Sequence, residues 1–231
     1  MKKRILWTCF ASMLMTQASF SEGMKLETEM DKVSHIIGNN IGSNIKEIDG
    51  LNVEIFVQSL KDAREGKPLE LPAEEVQKIM MAFQTKMQKK EMERAAAAGA
   101  ENIAKGKAYL AENAKKEGVK TTASGLQYKV VKAGTGAIPK STDTITAHYH
   151  GTLTDGTTFD SSYDRGQPAS FPVTGVIPGW VEALQLMKVG GIWELTIPSE
   201  LAYGANPRPG GPIGPNAVLK FKIELLSINK Q

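Results

Sequence analysis

The chain has 231 residues, 28 basic and 25 acidic, with 41% hydrophobic residues and a single cysteine. That composition is ordinary for a globular protein and excludes collagen-like, disulfide-dense and low-complexity chains. Lys2, Lys3 and Arg4 account for the whole basic excess, and without them the charges balance at 25 to 25, so no nucleic-acid partner is expected.

The three leading cations precede an apolar run from Ile5 to Met15, followed by small residues at Ala18, Ser19 and Ser21. This pattern predicts a secretory signal peptide over residues 1–21, too short to span a bilayer, with cleavage after Ala18 or Ser21. Cys9 lies inside it, so the mature chain has no thiol and no disulfide, which suits an oxidising compartment. No later apolar stretch is long enough for a membrane span.

From Glu22 to Gly118 the pattern is helical. Val33, Ile36, Ile37, Ile41, Ile45 and Ile48 recur at helical spacing, and Val53, Phe56, Val57 and Leu60 repeat it after Asn52, a side chain suited to capping. Gly38 and Gly42 share a face of the first helix, each at a cost of about 1 kcal/mol relative to Ala, and would let another backbone come close. After Leu71-Pro72, the run Ala73-Glu74-Glu75 opens a third helix, and no proline follows until Pro139. A continuous helix to Lys116 would be about 65 Å long. Its first part has an apolar stripe of Val76, Ile79, Met80, Phe83 and Met87. Beyond Lys89-Lys90-Glu91 the stripe thins to alanines with Ile103, Tyr109 and Leu110, so the second part reads as a solvated strut. His35 is the only histidine here and belongs to no cluster. Two short helices and the start of a long one make a small core, so two chains are expected to pool their faces in a homodimer.

Near Gly118 the composition changes to threonine, glycine, proline and alternating apolar residues. Strands are predicted over Leu126–Val131, Ile145–Leu153, Thr158–Phe159, Ile192–Ile197 and Leu219–Leu225, with Asp155-Gly156 as a hairpin turn. Pro178 suits a first helical position, and Trp180, Ala183, Leu184 and Met187 at helical spacing predict one short helix with a buried indole. The expected fold class is α+β: a C-terminal antiparallel sheet wrapped on one short helix, preceded by an all-α dimerisation domain and a long connecting helix. The domains are expected at residues 1–21 (signal peptide), 22–118 (helical) and 119–231 (sheet).

Reactive templates fail in this half. His148 and His150 share a strand face but lack a third ligand at metal spacing, and there is no thiol, phosphate loop or supportable serine–histidine pair. No metal or cofactor is expected. Aromatic residues remain, with one acid–base pair, Asp160 and Arg165: the make-up of an apolar ligand cleft with few polar groups. Taken alone, Trp180 reads as plain core packing sooner than as part of a site.

His148-Tyr149-His150-Gly151, Gly156-Thr157-Thr158-Phe159-Asp160-Ser161-Ser162, Val176-Ile177-Pro178-Gly179-Trp180, Ala202-Tyr203-Gly204 and the Gly-Pro-rich loop before Leu219-Lys220-Phe221 occur in an order that resembles the FKBP-type immunophilins, which are peptidyl-prolyl cis/trans isomerases. The layout of leader, helical segment and long helix is similar to that of the macrophage infectivity potentiator (Mip) and FkpA-like proteins of Gram-negative bacteria. The resemblance implies proline-containing polypeptides and macrolide inhibitors as ligands, and a location in the periplasm or at the outer-membrane surface. It makes Trp180 the floor of a proline pocket, with Phe159, Phe171, Val176, Ile177, Ile213 and Phe221 as walls. Tyr149, Asp160 and Tyr203 become the catalytic polar groups, with Arg165 tied to Asp160, Tyr203 hydrogen-bonding a substrate carbonyl and the Ile177 N–H holding a neighbouring one. Many members carry an aromatic two residues before the position of Phe171; this chain has Ala169, so a more open side is expected. The implied function is catalysis of X–Pro rotation in exported proteins, assisting their folding, without covalent chemistry. The alternative is a holding chaperone for unfolded exported proteins with incidental isomerase activity.

Overall fold

The computed structural model describes residues 25–229; the predicted leader lies outside the described residues. The chain divides into two compact units, one ending at Leu71 and the other beginning at Pro72.

The first unit holds α1 (Glu29–Ile45) and α2 (Val53–Arg64). Thr28 caps α1 in a capping box: its hydroxyl accepts from the Asp31 N–H at 3.1 Å, and its own N–H donates to the Asp31 carboxylate at 2.8 Å. Asn52 caps α2, accepting from the Ile55 N–H at 3.0 Å as expected from sequence. Neither helix buries a residue, and Met30, Ile36, Ile37, Val53, Ile55 and Leu60 are all more than half exposed. A Cβ built on Gly38 or Gly42 meets nothing within 4 Å, so within one chain the small-residue face is open.

The second unit begins with α3 (Ala73–Asn113), whose 41 residues make one helix of about 61 Å. Its only buried residues are Gly99 and Gly106, in the half expected to be a solvated strut. A Cβ on Gly106 would lie 2.8 Å from the Val218 side chain and one on Gly99 3.3 Å from Pro215, so these glycines let the helix rest against the segment before the last strand. Asn102 donates to the Pro215 carbonyl at 2.8 Å, and Asn113 to Gln127 and Thr196 at 2.9 and 3.2 Å. Polar contacts and missing side chains anchor this half, which is why an apolar stripe gives no sign of it.

Seven strands follow: β1 (Val119–Thr121), β2 (Gln127–Lys132), β3 (Thr144–Leu153), β4 (Thr158–Ser161), β5 (Ala169–Pro172), β6 (Ile192–Ile197) and β7 (Leu219–Asn229). They form one antiparallel sheet in the order β1-β2-β6-β7-β3-β4, with β5 also pairing to β3. Period-two alternation puts Ile145, Ala147, Tyr149 and Gly151 of β3 and Leu219, Phe221, Ile223 and Leu225 of β7 on the buried face. Between β5 and β6, α4 (Pro178–Leu184) starts on proline, with Ile177 as its extended N-cap. Trp180, Ala183 and Leu184 on α4, with Met187 just after it, are buried against the sheet. A Cβ on Gly179 would lie 2.5 Å from Ile197, so only glycine lets α4 seat this closely on β6.

Candidate active site

The cavity forms where the first turn of α4 meets the concave face of β3 and β7. Trp180 is its floor, 3% exposed, and its ring packs edge-on to Tyr149, Phe171 and Phe221 at centroid separations of 5.4, 5.9 and 5.2 Å. Phe159 meets Phe221 edge-on at 5.3 Å. Both rings cross above Gly151, where a Cβ would stand 2.6 Å from Phe159 and 2.9 Å from Phe221. The glycine in the His148-Tyr149-His150-Gly151 block thus gives these two walls their place.

The cavity encloses about 600 Å3. Ten of the eleven expected site residues line it: Tyr149, Phe159, Asp160, Phe171, Val176, Ile177, Trp180, Tyr203, Ile213 and Phe221. The eleventh, Arg165, stands behind the rim, where it holds Asp160. Ala169 lies in β5 opposite Ala147, outside the lining. Arg208 lines the cavity and was not anticipated. It sits in a loop between Pro207 and Pro209, where no periodic pattern marks which side chains face inward.

The polar groups are few and differently occupied. The Tyr149 hydroxyl donates to Asp160 Oδ2 at 2.6 Å, Arg165 Nη2 donates to the Tyr149 oxygen at 2.6 Å, and Arg165 Nη1 donates to Asp160 Oδ1. The guanidinium also lies 5.5 Å from the Tyr149 ring centroid. Burial pushes the Tyr149 hydroxyl above its ordinary value, and the Asp160 carboxylate beside it adds to the shift. For Asp160, burial acts to raise the value, but the Tyr149 hydroxyl and Arg165 outweigh it and hold the carboxyl below its ordinary range. Asp160 is therefore an ion with its charge already answered. By contrast, the Tyr203 hydroxyl is on a side chain 47% exposed and has no partner among the described residues. The Ile177 carbonyl receives the N–H groups of Trp180 and Val181 at 2.9 and 3.1 Å, while its own N–H donates to nothing among the described residues. The Trp180 Nε1–H is likewise buried without a partner.

His148 and His150 occupy the opposite, outer face of β3. His148 stacks on Tyr163 at 4.6 Å with Nδ1 3.0 Å from the Ser162 hydroxyl, while His150 stands opposite Ser161 and Lys222. Ser162, fully buried, accepts from the Tyr149 N–H at 2.7 Å and donates to the Tyr149 carbonyl at 3.1 Å, which ties the loop carrying Arg165 to β3.

Residues 136–226 match the family model described as FKBP-type peptidyl-prolyl cis-trans isomerase, and residues 30–130 match that of the domain amino terminal to it. The chain is 43% identical over its full length to 99% of an outer membrane protein MIP of Legionella longbeachae. It is 48% identical, over 85% of its length and 94% of the relative's, to the FKBP-type 22 kDa peptidyl-prolyl cis-trans isomerase of Escherichia coli. The crystal structure of FkpA from Escherichia coli covers 89% of the chain, and 99% of its own, at 38% identity with a TM-score of 0.66. With this fold, this aromatic cavity and these matches, the chain belongs to the FKBP-type peptidyl-prolyl cis-trans isomerases, in the group that includes the Mip and FkpA proteins.

Proposed function

We propose that this isomerase rotates X–Pro bonds on the Trp180 floor, with Tyr149, Asp160 and Tyr203 as its catalytic polar groups. The observation that carries the reading is the pairing of an apolar aromatic cavity with two unoccupied hydrogen-bonding groups at its rim, the Ile177 N–H and the Tyr203 hydroxyl. Rotation about X–Pro costs about 18–20 kcal/mol because it breaks amide resonance. The planar amide is charge-separated and the twisted one is less so, so an apolar cavity favours the twisted state. Donors to the flanking carbonyls hold the twist. Each ~1.4 kcal/mol shortens the reaction time tenfold, so a few kcal/mol suffice and no nucleophile or general base is required.

In this reading Arg165 and Tyr149 neutralise Asp160 so that it shapes the rim without taking a proton. Residues 119–231 form the isomerase domain and residues 22–118 the dimerisation segment. The unburied apolar faces of α1 and α2 support a homodimer through these helices. The leader supports export to the periplasm or outer-membrane surface, and no described helix is long and apolar enough to cross a membrane. The clients are proline-containing polypeptides.

Asp160→Leu and Tyr203→Ala test the assignment. Each should lower kcat/KM for a proline tetrapeptide by about 10- to 100-fold while the circular dichroism and urea midpoint stay close to wild type. Full activity in both folded variants would remove these residues from the mechanism.

A further inference from the structure

A second cleft, of about 440 Å3, lies on the outer face of the sheet beneath the last turns of α3. Strand register builds its floor. Lys129 of β2 stands opposite Glu194 of β6, Glu194 opposite Lys222 of β7, and Lys222 opposite His150 of β3. One step along, Lys220 stands between Thr196 and Thr152. Tyr109 and Asn113 of α3 and Lys116, in the turn that follows it, form the roof. Four lysines (Lys116, Lys129, Lys220 and Lys222) therefore line one cleft with Glu194 as its only carboxylate. None of the four lies within 4.0 Å of a carboxylate among the described residues; Lys116 and Lys220 instead lie 5.4 and 6.0 Å from the Tyr109 ring centroid.

This concentration is not a property of the surface at large, since beyond the leader the chain is formally neutral. Like charges held together repel unless a counter-ion answers them, and a recess that excludes part of the solvent strengthens their field. Lysine ammoniums act as compact point charges that suit phosphoryl oxygens, whereas the planar fork of arginine is absent from this cleft. The volume is within the range of small-ligand sites.

We propose that this cleft binds a phosphoryl anion carrying two or more negative charges, either free in solution or as the phosphomonoester headgroup of a lipid. The cleft and the proline cavity share Phe221 in their linings, but Lys220 and Lys222, which flank it on β7, point to the opposite face of the strand and line only this cleft.

The test uses the mature full-length chain, its Lys116→Ala/Lys220→Ala double variant and, as a control, Lys78→Ala on the exposed face of α3. Calorimetric titration with pyrophosphate at low ionic strength should give saturable binding that weakens at least tenfold in the double variant and not in the control. Flotation with vesicles of phosphatidylcholine containing phosphatidic acid, against phosphatidylcholine alone, separates the two sources. Vesicle capture that requires Lys116 and Lys220 supports the lipid headgroup, and pyrophosphate binding without capture supports the free anion. Proline-tetrapeptide isomerisation by the double variant verifies that it is folded. No binding of either probe, or binding equally strong in a folded double variant, overturns the proposal.

Discussion

At the scale of the residue, the Tyr149–Asp160–Arg165 cluster makes a claim about pH. Asp160 has its folded-state value lowered below 3.8 and Tyr149 has its value raised above 10.0. A depressed carboxyl stabilises the fold at every pH above its unfolded value, and that contribution is lost only as the pH falls through the lower folded value. A raised phenol contributes in the other direction, fully below its ordinary value and lost only as the pH rises through the higher folded one. Neither group changes charge in between, so kcat/KM should be flat from about pH 5 to about pH 9. A titration of Asp160 or Tyr149 within that window would contradict this reading of the cluster. Gly151 carries a second prediction. Gly151→Ala should push Phe159 and Phe221 out of place, costing about 1–3 kcal/mol of stability and at least about tenfold in kcat/KM, measured by urea unfolding and the tetrapeptide assay. The motif blocks made the lining residues legible in the sequence. Arg208 was not, because a loop residue between prolines carries no periodic signal that says which way it faces.

At the scale of the element, periodicity reported what packs through apolar side chains. The helical spacing of α1 and α2, the Asn52 cap, the Pro178 start of α4 and five of the seven strands follow from periodicity and capping residues, whereas the Thr28 cap that starts α1 was not anticipated. The two strands not anticipated are β1 with 3 residues and β5 with 4, too short for alternation to register and without the Asp-Gly turn that marks the equally short β4. In sequence the second half of α3 has the pattern of a strut because its contacts use Gly99, Gly106, Asn102 and Asn113, none of which adds to an apolar stripe. This leads to a comparison of two truncations. A chain beginning at Pro72 and one beginning at Val119 both keep every cavity-lining residue. The shorter one leaves Gln127, only 4% exposed, without Asn113 and without the Leu110 carbonyl to which it donates at 2.9 Å. It should unfold about 1–3 kcal/mol more easily than the longer one in urea while both isomerise the tetrapeptide. Equal midpoints would show that α3 adds nothing to the stability of the sheet.

At the scale of the whole molecule, the chain separates two tasks. One unit carries helices whose apolar faces stay unburied in a single chain, and the other carries a complete aromatic cavity. The central claim is that this one cavity is where X–Pro bonds rotate. A macrolide inhibitor of the family, titrated against the tetrapeptide isomerase activity of the mature full-length chain, tests it most directly. The account predicts that activity falls linearly to the uncatalysed rate at one inhibitor per chain, with the Trp180 floor covered. Isomerisation that persists above the uncatalysed rate at saturating inhibitor would contradict it.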